Sequence, residues 1–261
     1  MIDALLWDVD GTLVESERDG HRVAFNQAFK SMGLPWCWDE AHYGSLLRVT
    51  GGRERLLADM RERSEAPALA AEREALAHEL HRRKNACYAH LVEAGAVALR
   101  PGVAELVNEA AAAGLCQAIV TTTSRTNVET LLRRHFGDAA RSLFEVRVCG
   151  EDVRHKKPDP EAYRLALARL GMAPLKTLAI EDSPGGVAAA RAADVPVLVT
   201  RSEYFAHDTV EGVLAVGPGL HRRQGWLPAP ARAVGVEHSA RVGLDDLVDW
   251  HARMELVSQF G

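Results

Sequence analysis

Ala4-Leu5-Leu6-Trp7-Asp8-Val9-Asp10-Gly11-Thr12-Leu13 lies almost at the start of the chain. Its four apolar residues, cut off by Asp and Gly, make a run too short for a helix and predict a buried strand that feeds a loop. Both carboxylates then fall at the C-terminal end of that strand. Ligands of open α/β sheets bind outside the carboxyl ends of the strands, so Asp8 and Asp10 project into the expected crevice. Two acids two residues apart on an irregular loop can divide labour, one attacking phosphorus and the other moving protons. The plainer alternative is a turn-capping Asp with a chance neighbour, and the attached Gly11-Thr12 weighs against it.

Outward from this stretch the character of the chain changes. Apolar residues recur at helical spacing over 17–32 (Val23, Ala24, Ala28, Phe29, Met32), and Gly33 and Pro35 stop the pattern. Further helices are predicted at 39–47, 52–63 and 66–94, the last two rich in strong helix formers, with no strand signal between them. Pro101-Gly102 marks the return. From there strands (117–121, 144–149, 177–180, 195–199) alternate with helices (103–113, 126–135, 160–170, 185–193), which implies a parallel sheet covered by helices on both faces. The expected fold is therefore an α/β, Rossmann-like core formed by residues 1–15 and 97–261. A helical cap, residues 16–96, is inserted after the first strand. Residues 206–241 carry several Pro and Gly and predict loops, and 244–254 a closing helix.

Three more stretches carry chemistry at predicted strand ends. Ala118-Ile119-Val120-Thr121-Thr122-Thr123-Ser124 ends an apolar strand in hydroxyls, which offer donors to anionic oxygens; β-branched residues are common in strands, so this alone is weak. Lys156-Lys157-Pro158-Asp159-Pro160 brings lysine charge to balance a phosphoryl group, with Pro160 a plain first helical residue. Ile180-Glu181-Asp182-Ser183 places hard carboxylate oxygens, which suit Mg²⁺, before a helix that Asp or Ser can also cap.

In this order the four stretches resemble the signatures of the haloacid dehalogenase superfamily. The resemblance implies that Asp8 is a nucleophile forming an aspartyl-phosphate and also a Mg²⁺ ligand. Asp10 would act as acid, then base, and contact the metal through its carbonyl. Thr121 becomes the phosphate-binding hydroxyl, with Thr122 donating from its backbone. Lys157 rather than Lys156 is the functional lysine, Asp182 a direct metal ligand and Glu181 an outer partner. The inserted cap would close over the substrate.

Three cap segments bear on the substrate. They are Glu15 to Arg22, the glycine turn Thr50-Gly51-Gly52-Arg53-Glu54-Arg55 opening a helix, and the basic run His81-Arg82-Arg83-Lys84. A helix start with free N–H groups is an anion site, and Arg53 or Arg55 would add a guanidinium. The basic run has a plainer reading as a solvated helix face. At this level the chain resembles the xylulose-1,5-bisphosphate phosphatases, which remove a misfire product that inhibits the carbon-fixing carboxylase. That likeness rests on Glu17, Asp19-Gly20-His21, Thr50 to Gly52, Leu80 to Lys84 and Thr121 to Arg125. It makes Glu17, His21, Thr50, Gly51, Gly52, Arg53, Glu54, His81, Arg82, Arg83, Lys84, Thr122, Thr123, Ser124 and Arg125 candidate substrate contacts. Arg53 departs from it, the family commonly having Lys there, and the likeness ends near Tyr204. A β-phosphoglucomutase-like mutase, a phosphoglycolate-type monophosphatase and a non-catalytic metabolite-binding protein on the same scaffold remain alternatives.

Bulk properties narrow the classes. A net charge of −5 over 261 residues, with pI near 6.1 and mixed charge order, argues against a nucleic-acid binder. No apolar run reaches the roughly 20 residues that span a bilayer. Cys37, Cys87, Cys116 and Cys149 are far apart, without metal spacing, and predict buried free thiols in a reducing cytoplasm. The expected partner is a small phosphorylated sugar bound by a monomer.

Overall fold

The computed structural model describes residues 2–231 and 240–260. The first stretch forms β1 (Ala4–Trp7), entirely buried. It lies between β2 (Cys116–Val120) and β4 (Thr177–Glu181), and the six-stranded parallel sheet continues with β3 (Val146–Val148), β5 (Val197–Thr200) and β6 (Ala215–Gly217) in the order β3-β2-β1-β4-β5-β6. Strand order therefore reverses beside β1, where α/β folds open a crevice.

Period-2 alternation sends the strand side chains to two apolar layers. Leu5, Trp7, Ile119, Leu178 and Ile180 pack on α5 (Val103–Ala112), α6 (Arg125–Phe136) and α10 (Leu244–Phe260). On the other face Leu6, Ala118, Val120, Ala179, Val197 and Val199 meet α8 (Glu161–Leu170) and α9 (Pro184–Ala192). A short α7 (Ala140–Leu143) precedes β3. Between β1 and β2 lie α1 (Arg22–Ser31), α2 (Glu40–Leu46), α3 (Gly52–Glu62) and α4 (Ala70–Glu93), with an apolar cluster of their own around Phe25, Phe29, Trp38, Tyr43, Met60 and Leu80. Two connections join this helical layer to the sheet, and they pair with each other: Val14 lies antiparallel to Leu99, and the Arg100 amide donates to the Leu13 carbonyl at 2.8 Å.

Some expectations shift. The helix expected from residue 17 begins with a wide π-turn, Glu17–His21, before α1. The helix expected from 66 begins at Ala70, because Pro67 and the turn before it interrupt the pattern. Pro160 caps α8 instead of opening it. The predicted strand 144–149 shrinks to Val146–Val148 at the sheet edge. Residues 206–241 are not all loop, since β6 pairs with β5; three residues between Pro- and Gly-containing turns are too few for a periodicity to register, and 232–239 lie outside the described residues. Of the four cysteines only Cys149 is buried; Cys37 is exposed and the other two are half-buried.

Candidate active site

A cavity of about 370 Å³ lies between the carboxyl ends of β1, β2 and β4 and the helical layer above them. Parallel strands end side by side, so residues from distant stretches converge there. Asp8 follows β1, Thr121 follows β2, Asp182 follows β4, and Lys157 reaches in from the loop before α8; all four line the cavity and are buried.

Lys157 Nζ donates to Asp8 Oδ1 at 2.8 Å, to Glu181 Oε1 at 2.6 Å and to the Val120 carbonyl at 2.7 Å. Glu181, wholly buried, also accepts from the Tyr163 hydroxyl at 2.5 Å, so it sits beneath the cavity floor. Oxygens of Asp8, Glu181 and Asp182 fall within 4.8 Å of one another. Burial, with Glu181 and Asp10 adding repulsion, pushes Asp8 up to about 8 against the pull of Lys157. Burial, with the Asp8 and Glu181 charges adding repulsion, raises Asp182 well above the usual carboxylate range. Three buried carboxylates against one ammonium leave surplus negative charge, and Glu181 Oε2 has no hydrogen-bond partner. A hard divalent cation fits this oxygen set and would restore the ionised state of Asp8.

Asp10 behaves in the opposite way. Burial alone would raise it, but the His21 ring and the Ser16 and Thr123 hydroxyls hold it well below the usual carboxylate range. His21 Nε2 lies 2.8 Å from Asp10 Oδ1; since an ionised carboxylate only accepts, His21 donates. The His21 ring is stacked on Tyr88 with centroids 4.0 Å apart, which fixes its plane. Ser16 and Thr123 donate to the two Asp10 oxygens. Thr121 Oγ1 accepts from the Thr123 amide at 3.2 Å, folding the hydroxyl loop around the cavity floor. Thr122 and Ser124 line the same floor.

The cap side is more selective. Glu17, His21, Thr50, Gly51, Gly52, His81 and Lys84 line the cavity. Gly51 has φ +98°, and a Cβ there would meet the Glu54 carboxylate and the Lys156 ammonium, so glycine is required. Lys84 is buried over the Phe25 and Tyr88 rings, and burial lowers it to about 8 although Asp10 and Glu17 pull it up. Burial and the nearby Lys84 and Lys156 lower His81 to about 3, leaving it neutral.

Five expected contacts do not line the cavity in this structure. Arg53 points outward, half exposed, 3.6 Å from Glu74. Arg82 and Arg83 lie outside the cavity, both bonded to Glu79. Residues on a helix step by about 100° each, so in the run 81–84 only the pair three apart faces inward. Arg125 opens α6 and turns to Asp152, 2.5 Å away. Glu54 does not line the cavity; it holds Lys156 Nζ at 2.8 Å, tying α3 to the loop that carries Lys157.

Arg55, offered only as an alternative to Arg53, is the buried guanidinium of the glycine turn. It donates to the Tyr43 hydroxyl at 2.8 Å, which in turn donates to Glu17. Its place two residues after Arg53 was the available signal, since a helix face changes completely over that step. Phe205 and Asp208, beyond Tyr204 where the family likeness ends, also line the cavity.

The sequence profile of haloacid dehalogenase-like hydrolases matches residues 2–194, and the chain belongs to that family of enzymes. Within it, the chain is similar to CbbY proteins: 40% identical over 250 residues to the plasmid CbbY of Cupriavidus necator, covering 96% of this chain and 97% of that one. It is 44% identical over 207 residues to CbbY of Rhodobacter capsulatus, 79% and 88% of the two chains. A crystal structure of a CbbY mutant from Rhodobacter sphaeroides, in complex with xylulose-1,5-bisphosphate, superposes with TM-score 0.79 at 39% identity, over 86% of this chain and 97% of that one. A β-phosphoglucomutase from Clostridium difficile shares the fold at TM-score 0.70 and 16% identity. The chain is a phosphatase-type hydrolase of sugar phosphates, which these relatives favour over the mutase and binding-protein alternatives.

Proposed function

We propose that this chain is a Mg²⁺-dependent phosphatase of a pentulose bisphosphate, with xylulose-1,5-bisphosphate as substrate. The observation that carries the proposal is one cavity with an anion site at each end. At the floor are Asp8, Thr121, Lys157 and Asp182; at the roof are the Gly51-Gly52 helix start, Arg55 and Lys84. A buried ammonium and a buried guanidinium that line the same cavity as a glycine-rich helix start favour a second phosphate. The ligand named for the Rhodobacter sphaeroides CbbY complex has two phosphates and agrees with this.

Asp8, Asp182 and the Asp10 carbonyl would hold the cation, with Glu181 behind them. When bound, Mg²⁺ supplies charge neutralisation to the phosphoryl oxygens and to Asp8. Asp8 attacks phosphorus, Lys157 balances charge on the transferring group, and Thr121 with the Thr122 amide orients its oxygens. Asp10 is ionised in the free cavity. A phosphate dianion arriving beside it raises its pKa, so a proton taken up with the substrate reaches the leaving oxygen. The same carboxylate, oriented by His21, Ser16 and Thr123, then takes a proton from the water that attacks the aspartyl-phosphate.

In this proposal residues 16–96 move as a cap on 1–15 and 97–261, admitting substrate and releasing product. The active unit in this proposal is a monomer. Four free cysteines support a reducing, cytoplasmic setting. The test is phosphate release with Mg²⁺ from xylulose-1,5-bisphosphate, hexose monophosphates and phosphoglycolate. A strong preference for the bisphosphate is expected. Equal rates on all three, or isomerised sugar phosphate in place of free phosphate, would overturn the proposal.

A further inference from the structure

Arg100 does not line the cavity, yet its guanidinium is nearly buried where separate stretches of chain meet. Nη1 donates to the Gly11 carbonyl in the catalytic loop, and to the carbonyl (3.2 Å) and hydroxyl (3.1 Å) of Thr200 at the end of β5. Nη2 donates to the Arg201 carbonyl at 2.6 Å and reaches the Pro218 carbonyl, just past β6, at 3.5 Å. Nε stands 3.8 Å from Glu15, in the connection to the helical layer. Its own amide holds Leu13, beside the pairing of Val14 with Leu99. A planar guanidinium presents its donors in fixed directions, so one side chain ties the Gly11 carbonyl to the ends of β5 and β6, which pair with each other but not with the Gly11 turn.

What this brace supports is Gly11. Its φ is +83°, and a Cβ on it would lie 2.0 Å from Asp182 Oδ2 and 3.0 Å from the Ser202 Cβ. The Gly11 backbone is thus pressed against the Asp182 carboxylate. Any shift of that turn changes the spacing between Asp182 and Asp8, which borders the same cluster.

We propose that Arg100 is a positioning residue: by clamping the Gly11 carbonyl to the chain at the ends of β5 and β6, it keeps Gly11 against Asp182 and holds the Asp8–Asp182 spacing that one cation requires. This rests on the Mg²⁺ reading above. It also gives the C-terminal part of the sheet, which contributes no catalytic group, a hold on the chemistry. Partners that orient metal ligands from behind are worth about 10- to 100-fold in metal affinity.

The experiment is Mg²⁺ titration of the intact chain by calorimetry, on wild type, Arg100→Ala and Arg100→Lys, with melting temperature, kcat and KM measured alongside. The expected result for Arg100→Ala is a roughly 10- to 100-fold weaker Mg²⁺ affinity. Its kcat at limiting Mg²⁺ should fall and recover at high Mg²⁺, while KM for the sugar phosphate at saturating Mg²⁺ changes less than about twofold. Arg100→Lys keeps the charge but has one nitrogen to reach several carbonyls, and should be intermediate; it decides the matter if the alanine variant does not fold. A lower melting temperature with Mg²⁺ affinity within about twofold of wild type would reduce Arg100 to a stabilising contact and overturn the proposal. Wild-type turnover without Mg²⁺, and no Mg²⁺ binding, would overturn the metal assignment and this proposal with it.

Discussion

The two ends of the cavity were built by different rules. At the floor, Asp8, Thr121 and Asp182 each follow a strand of one parallel sheet, adjacent strands end at nearly the same height, and Lys157 joins them from the loop before α8. Asp8, Thr121 and Asp182 are therefore brought together by strand register alone, through the pairings of β1 with β2 and β4. At the roof, the groups stand on helices, where each residue turns about 100° from the last. His81 and Lys84 face inward while Arg82 and Arg83, between them, do not. A motif at a strand end specifies a site; a charged run on a helix specifies only that some of its members have one.

The sharpest test of this contrast acts at the floor. Asp8→Asn should reduce phosphate release by roughly 10⁴-fold or more, as loss of a covalent nucleophile does elsewhere, while far-UV circular dichroism stays unchanged. Near-normal turnover would mean that convergence at the strand ends does not define the reacting group.

At the roof the effect should fall on binding. Arg55→Ala is expected to raise KM for a bisphosphate by roughly 10- to 100-fold, the scale of one or two hydrogen bonds to a charged group, and KM for a monophosphate by less than about threefold. Equal effects on both substrates would remove the second phosphate from the roof.

A gentler probe of the same end is pH. Lys84 carries its charge below about 8 and loses it above. Since only the ammonium attracts phosphate, KM for the bisphosphate should be flat below pH 8 and rise by up to about tenfold per unit above it. Lys84→Met should have a high KM at every pH and lack that rise. A wild-type profile flat to pH 9.5 would show that Lys84 does not meet the substrate.

The smallest effects should come from the outward residues. Arg53→Ala, Arg82→Ala and Arg83→Ala should each leave kcat and KM within about twofold, since these side chains form exposed ion pairs outside the cavity. A tenfold KM change in any of them would mean that α3 or α4 turns when substrate is bound.

Much of the fold could be read from short patterns because the alternation of apolar strands with amphipathic helices is a local property. The carboxylates and hydroxyls of the floor were legible for the same reason, since Asp8, Thr121 and Asp182 each follow a recognisable strand, and Lys157 was legible from its short Lys-Pro-Asp-Pro stretch before a helix. Other features had no local signature. β6 is three residues long and owes its existence to the open edge of β5. Arg55 could not be separated from Arg53 without knowing which face of α3 meets the cavity. Arg100 reads as an ordinary charge before Pro101-Gly102, and its role emerges only where Gly11, Thr200, Arg201 and Pro218 come within reach of one guanidinium.

The sequence by itself determined the sheet, the helical insertion and the chemical identity of the floor, because hydrophobic period and strand-end composition act over a few residues. Only the tertiary structure decided which charges of the insertion look inward, how Asp8 and Asp10 come to have opposite acidities, and what holds Gly11 against Asp182. Those outcomes depend on burial and on distances between residues up to about a hundred or more positions apart, such as Lys157 with Asp8 and Thr123 with Asp10. No window along the chain contains both members of such a pair.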